Sequence, residues 1–588
     1  MSGTDKISLY WNTVKFLKPV QIKHQIKNRV FRSRKEKLLD SIKKLHVPDI
    51  QKFNIVIPEL DFDKEYLHRF NREGLLKDEI TLLHETHKLE DCWNIPDALH
   101  LWNYNLHYLE FLLPLAVKYE QTLDEQYFCK FENLLNKWMK QSSEDSFEPY
   151  TISMRIPNLL ICMELLKNRI AETSIGAQLQ TSIYQQYQYL LRTQELGLLA
   201  NHYFENLKTI VISSLLFREQ ETYHKYFNLL LKQIEEQILE DGMHFERSFM
   251  YHKIILEDIL RIHEVLISTE HKGDAEKLIP TIQKMTLVIE NIEKGFHRTP
   301  LFNDAGNNVS KSKEALVKAA GRICGYGIFG RVGQVYVKRE GLRKSAQQKK
   351  LAETAFSESG YYKLYTEKAA LLFDCGKIGP SYMGGHAHCD CLSFELALNG
   401  DVIFVNSGTG QYQGELRNFF RSTSAHNTIM IDDREQSELW GEHRAGRRIS
   451  KVRGNTAEEI DRDTVTGSFR SYYGDNFRRR MRLTNENRLF ITDDFAVHRK
   501  GRHIARQFFH IAPGYSYERK GKTVAVKKGT ECIALISLPD ACDYLIHTEG
   551  MITNYAEDFG KYEYKQVLEI RTIFEDKLRS KVEIRLEH

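Results

Sequence analysis

The feature that most restricts how this chain can fold is a single change of hydrophobic period partway along its 588 residues. From about residue 98 to 300, apolar side chains recur at helical spacing in successive blocks, among them YNLHYLEFLLPLAVKY, YFCKFENLLNKWM, RIPNLLICMELLKNRI and FENLKTIVISSLLF. Short polar breaks separate the blocks, which favours antiparallel neighbouring helices. There is no clean repeat of the solenoid kind, so a closed or horseshoe array of helical hairpins is expected. After the polar stretch 339–354 the period becomes two, in YYKLYTEKAALLFDC, LSFELALNGDVIFVNSG, FRRRMRLTNENRLFITDD and KVEIRLEH. Such strands, joined by Gly, Asn and Asp turns, predict an antiparallel β-sandwich. The expected architecture is α+β and multidomain: a basic arm over 1–50, a helical domain over 51–335 and a sandwich over 355–588. GIFGRVGQVYVK at 327–338 blurs the boundary, because it also reads as a strand.

Composition narrows the function. Hydrophobic residues at 42% and charged residues at 28% are ordinary for a globular chain. With 83 Lys and Arg against 79 Asp and Glu the net charge is +4, which gives no overall electrostatic case for nucleic acid. No apolar run approaches the ~18–20 residues of a membrane span. The opening MSGTDKISLYWNTVKFLKPVQ lacks a secretory pattern, and nine scattered cysteines suit a reducing compartment, so a cytoplasmic location is expected. Residues 8–45 are rich in Lys and Arg with Trp11, Phe16, Leu17, Val20 and Ile22 between them. That arm reads either as a solvated helix along the domain edge or as a peripheral contact with an anionic membrane, at its inner face, or with a partner.

The densest polar constellation is GGHAHCDCLSFEL, 384–396. If its backbone is extended, alternation places His386, His388 and Asp390 on one face and Cys389 and Cys391 on the other, the cysteines as small core residues. His-x-His reads equally as a metal signal and as two hydrogen-bonded histidines. Downstream, NSGTGQY and RSTSAHNTIMID offer Asn406, Arg421 and His426 at strand ends, and His426 either completes a metal site with His388 or ties two loops together. In the helical half, NHYFENL puts Asn201 and Glu205 on one helix face with His202 beside them. About 45 residues on, FERSFMYHKIILEDIL holds Glu246, Arg247, Tyr251 and His252, although periodicity alone ranks Tyr251 as core-lining. Asn103, Tyr104, His107 and Arg155 are further candidates for a polar wall.

Taken in order, WNYNLHYLEFL, EPYTISMRIPNLL, NHYFENL, FERSFMYHKIILEDIL, LFNDAGN, GGHAHCDCLSFEL, NSGTGQY and RSTSAHNT resemble the heparinase II/III-like polysaccharide lyases, alginate-lyase-like members included, over about residues 100–450. The resemblance implies a complete or incomplete N-terminal (α/α) toroid, a C-terminal antiparallel β-sandwich, and a substrate cleft between them. It also implies β-elimination at a 4-linked hexuronic acid of an anionic polysaccharide. Carried over by motif, Asn201 neutralises the uronate carboxylate with help from His202. Tyr251 donates a proton to the leaving oxygen and also serves as base when both protons lie on one side of the ring; His386 is the alternative base. Glu205 holds His202 or the uronate pocket, and Tyr104, His107, Arg155 and Arg421 contact substrate. Zinc near His388 and His426 is implied too, yet the position matching the family's aspartate ligand is Asn406, and a neutral amide there lowers zinc affinity. Without zinc the two histidines brace the sandwich loops. A role in bacterial surface-polysaccharide synthesis or turnover fits a cytoplasmic copy. Two other readings remain: a glycan-binding or assembly protein on the same fold, and a hydrolase, for which no persuasive carboxylate pair stands out, Glu205 with Glu246 being left open. The sequence carries no signal of oligomeric state.

Overall fold

The computed structural model describes residues 3–30, 35–89, 93–141, 144–325, 355–455 and 463–587. The polar stretch 339–354 and the ambiguous segment 327–338 lie outside the described residues.

The helical half holds two kinds of helix. Glu125–Gln141 buries Tyr127, Phe128, Phe131, Leu134, Leu135 and Trp138, a single stripe at helical spacing. Ala200–Leu216 and Phe249–Ile267 are instead enclosed nearly all round. Ala200–Leu216 packs against Pro149–Leu165, Ile175–Thr193, Gln220–Gln237 and Phe249–Ile267, so amphipathic helices surround buried ones. The polar side chains that head these two inner helices are therefore held by packing on every side.

Every strand pairing in the C-terminal half is antiparallel. One layer is an eight-stranded sheet that includes Thr464–Arg470, Asn476–Leu483, Arg488–Ala496 and Lys577–Leu586. The other joins a five-stranded meander ending in Phe394–Leu398 and Asp401–Phe404 to a four-stranded sheet containing Ile429–Ile431 and His503–His510, linked by a bridge between Phe404 and Ile511. Leu371, Phe373, Ile429, Phe509, Met481, Ile491 and Ile584 from both layers form a common core. Asn476–Leu483 alternates exposed and buried residues, as a sheet with one wet face should. Ala369–Asp374 and Phe394–Leu398 are buried throughout, because the helical domain covers their other face. There Met243, Phe249, Val288 and Phe302 meet Tyr361, Ala370, Leu372, Ala397 and Val402. This apolar seam fixes the helix ends of one domain against the strand-end loops of the other.

Candidate active site at the domain seam

Two geometric devices bring the helical residues to the seam: a helix cap and a strained helix entry. Ser248 caps Phe249–Ile267 by accepting from the Tyr251 N–H at 3.2 Å, which places Tyr251 in the first turn. The Ser248 hydroxyl donates to the Asp304 carbonyl at 2.5 Å, tying that turn to the segment Phe302–Ala305. Asn201 enters its helix after Leu199 and Ala200, both at positive φ (65° and 53°), and Arg247 after Glu246 is at 60°. Each such non-glycine residue costs about 1–3 kcal/mol, strain that accumulates where a side chain must be aimed.

Tyr251 and His386 come from different domains, and their rings stack with centroids 4.1 Å apart and planes within 9°. His386 bonds through Nδ1 to the Glu246 carboxylate, whose other oxygen accepts from the Asn201 N–H at 3.1 Å. A carboxylate at Nδ1 holds the proton there and leaves Nε2 as the basic nitrogen. Burial raises the Glu246 carboxyl, but His386 outweighs it and the net shift is downward, so Glu246 stays ionised. The Tyr251 phenol is pushed well above its usual range, by burial first and then by Tyr412 and Asp304, and so it stays protonated. Its hydroxyl meets the Tyr412 hydroxyl at 2.8 Å.

The Asn201 Oδ1 is buried with no hydrogen-bond partner. Beside it His202 pairs through Nδ1 with Glu195 at 2.9 Å and lies 4.6 Å from the Tyr150 ring. Burial works against the charged imidazole, but Glu195, followed by Glu246 and Glu205, raises the His202 pKa. The chain thus gathers a neutral phenol, an imidazole with one basic nitrogen, an unengaged amide and a partly exposed imidazole along one seam.

Several expected contacts are corrected. The segment 384–393 is loop, and the strand starts only at Phe394, so His386 does not share a face with His388 and Asp390. Arg155 is fully buried, with its guanidinium donating to Gln186, His107 O and Ser146 O; it is an internal strut rather than a substrate contact. His107 is equally buried, against the Trp138 indole. Arg421 donates to the carbonyls of Ala387, Gly384, Gly441 and Glu442 and holds the His386 loop from behind. Glu205 is enclosed with Lys208 and Asp258, so it reaches His202 only as a nearby charge and does not form a hydrolytic pair with Glu246. Tyr104 is half-buried beside His100. Cys389 and Cys391 are buried and free, as core residues.

A second cluster lies deeper in the sandwich. Donor atoms of His388, Asp390 and His426 lie within 4.8 Å of one another. His388 Nε2 pairs with Asp304 at 2.8 Å, and its Nδ1 is buried without a partner. His426 Nε2 donates to the Phe420 carbonyl at 3.1 Å, and its Nδ1 lies 3.1 Å from the side-chain amide of Asn406. Burial lowers the His388 pKa to about 4 and holds that of His426 well below its usual value, so both imidazoles are neutral, the form that binds metal. Burial raises the Asp390 carboxyl to about 6. Burial would raise Asp304 too, but Arg417 and His388 hold its carboxyl far below the usual range.

Sequence reasoning passed over Asp304, Asn303, Tyr412, Tyr150 and Glu195. Asp304 joins the two clusters: its N–H donates to His386 O at 3.1 Å while its carboxylate holds His388. LFNDAGN and NSGTGQY contain Asp304 and Tyr412, but neither segment has a period or spacing that singles those residues out.

Family profiles match both halves: one described as "Heparinase II/III N-terminus" over residues 54–322 and one as "Heparinase II/III-like, C-terminal" over 348–582. The heparin-sulfate lyase of Pedobacter heparinus is 23% identical over 428 residues, 68% of this chain and 61% of that protein. That of Bacteroides thetaiotaomicron is 22% identical, over 75% of this chain and 67% of that protein. The chain thus spans about three fifths to two thirds of the length of these relatives. Among solved structures, a heparinase III superposes with a TM-score of 0.67 at 15% identity, covering 96% of this chain and 91% of that one. The heparan sulfate lyase HepC of Pedobacter heparinus gives 0.53 at 16% identity, covering 94% and 88%.

Proposed function

This chain belongs to the heparinase II/III-like family, and we propose that it is a polysaccharide lyase that cleaves a 4-linked hexuronic-acid-containing glycosaminoglycan by β-elimination. The observation that carries the reading is the Tyr251–His386 stack at the seam, backed by the Glu246 carboxylate and flanked by the unpartnered Asn201 amide.

Elimination needs three things: charge relief at the uronate carboxylate, removal of the C5 proton, and protonation of O4 as the C4–O4 bond breaks. The C5–H electron pair becomes the C4=C5 double bond, and no water is consumed. An ionised carboxylate beside C5 opposes proton removal, so donors must meet the charge that develops on it. The Asn201 side-chain N–H, a donor where its Oδ1 is not, and the His202 imidazole, raised in pKa, are suited to that task. His386 Nε2 takes the C5 proton, with Glu246 stabilising the imidazolium that forms. Tyr251, kept protonated by burial, gives its proton to O4. Stacked side by side, the base and the acid suit a sugar whose C5 proton and O4 leave from one face of the ring.

Zinc fits the second cluster. His388 Nδ1 is a buried nitrogen with no other partner, His426 and Asp390 converge on it, and each imidazole is oriented through its far nitrogen by a carboxylate or a carbonyl. His388, His426 and Asp390 would hold the ion, Asp390 supplying the negative charge that Asn406 lacks. Bound there, zinc would fix the loop after His386 and supply local positive charge.

Incubation with a panel of uronate polymers, heparan sulfate among them, tests the proposal. Lysis generates the ultraviolet absorbance of an unsaturated uronate. Reducing ends without absorbance would mean hydrolysis, and binding with neither would mean a glycan-binding protein.

A further inference from the structure

The segment ahead of both family profiles is built differently from the rest of the surface. Its two helices, Gly3–Val14 and Pro19–Val30, lie outside the matched residues 54–322 and 348–582. Ile7, Tyr10, Trp11, Val14, Ile22 and Ile26 are all exposed, Ile7 at 72% and Trp11 at 67%. Single exposed apolar residues are ordinary, but six within twenty residues form a patch. At about 100° per residue the four on the first helix fall within an arc of roughly 100°, with Lys6 and Lys15 at its two edges. On the second helix, Lys23 and Lys27 flank Ile22 and Ile26 on one side and Arg29 on the other. Residues 6–29 contain Lys6, Lys15, Lys18, Lys23, Lys27 and Arg29 and no Asp or Glu.

The opposite face of the arm is anchored across the seam. Thr13 accepts from the indole of Trp440, a sandwich residue, at 3.0 Å, and Tyr10, at the edge of the stripe nearest Thr13, packs edge-on against the same ring at 4.9 Å. Gln21 is buried and donates to Leu198 O at 3.0 Å and to Tyr382 O at 3.4 Å. Those carbonyls lie three residues before Asn201 and four before His386. Gln25 donates to Gly197 O at 3.1 Å, and Lys18 pairs with Glu236. The arm is thus pinned beside the domain seam with its apolar stripe turned outward.

We propose that this arm docks the protein on an anionic lipid bilayer. A stripe of Ile, Trp, Tyr and Val rimmed by Lys matches a surface that is apolar within and negative at its headgroups. An anionic glycan would engage the lysines and leave the apolar side chains in water, so lipid explains both halves of the pattern. Docking sets that seam next to the membrane surface. The proposal is independent of the lyase reading.

The test is co-sedimentation of the full-length protein with phosphatidylcholine vesicles, with and without phosphatidylglycerol. Binding is expected only to the anionic vesicles and should weaken as salt rises. Trp11→Glu with Ile26→Glu, and separately Lys23→Glu with Lys27→Glu, should each cut partitioning by roughly tenfold or more. All four positions are exposed, so folding and turnover on a soluble glycan should be unchanged. The proposal is overturned by absence of binding to anionic vesicles at low salt, or by undiminished binding of the Trp11→Glu, Ile26→Glu variant. Retention on immobilised heparan sulfate that needs Lys23 and Lys27, without vesicle binding, would reassign the arm to the glycan.

Discussion

His386 and His388 are two residues apart, yet they serve centres of opposite character. The centre around His386 lies at the seam, takes Asn201, Glu246 and Tyr251 from the helical domain, and keeps the Asn201 Oδ1 unengaged by protein. The centre around His388 is sealed inside the sandwich, with His388 and His426 both at 0% exposure and braced by Asp304, Arg417 and the Phe420 carbonyl. One short loop therefore faces the domain seam with His386 and the sealed interior of the sandwich with His388. A reacting group needs an unsatisfied valence that a substrate can fill, whereas a bracing group needs its valences filled by protein or metal.

The sharpest way to break this contrast is to remove the acid. Tyr251→Phe should lower kcat about 10³-fold with little change in KM, read from the formation of unsaturated uronate. Turnover near that of the wild type would move the proton-donor role elsewhere. His386→Gln should cost about 10²-fold or more, and the double variant should be no worse than the poorer single, because base and acid act on one step. Multiplying losses would mean that they act separately. Glu246→Gln keeps the shape but not the charge behind His386, and kcat should fall about ten- to a hundredfold at constant KM.

The sealed centre should respond in stability. His388→Ala leaves the Asp304 carboxylate short of a donor and should lower unfolding free energy by about 1–3 kcal/mol, measured by urea denaturation, with kcat of the folded enzyme changed far less than in Tyr251→Phe. A collapse of kcat at unchanged stability would erase the distinction between the centres. Asn406→Asp adds charge beside His426 and should tighten zinc binding about tenfold in a chelator competition; unchanged affinity would place Asn406 outside the ion's reach.

The smallest effect concerns the frame behind both. Burial lowers the pKa of His244 to about 4 and that of His252 to about 3, from 6.5. Below pH 6.5 the unfolded chain binds protons that the folded chain refuses, so stability is complete above that pH and falls as pH drops toward 4. At pH 6 the loss is about 1 kcal/mol or less per histidine. The urea midpoint should drift down with pH alike in the wild type and Tyr251→Phe; a drift confined to one of them would tie it to the reacting centre.

Much of this molecule was legible beforehand where one physical rule acted alone. Alternation in FRRRMRL marks Asn476–Leu483 because that strand has one wet face and one dry face. The stripe of Glu125–Gln141 is legible for the same reason at helical period. Legibility ends where both faces are covered: Tyr251 sits on a helix enclosed all round, so its period ranked it with core residues. The loop 384–393 imitates a strand through its alternating polar and small residues, while the bonds that shape it come from Arg417, Arg421 and Asn303, remote in sequence. Arg155, His107 and Glu205 were misplaced because a polar residue type does not say whether water or a buried partner satisfies it.

By itself, the sequence determined the two halves of the molecule, the change of period between them and the residue types able to carry an elimination, since these follow from local periodicity and side-chain chemistry. Only the tertiary structure decided which of those residues meet. The stack of Tyr251 on His386, the seal around His388 and the burial of Arg155 depend on contacts across the chain, set by packing between domains and not by the identity of neighbouring residues.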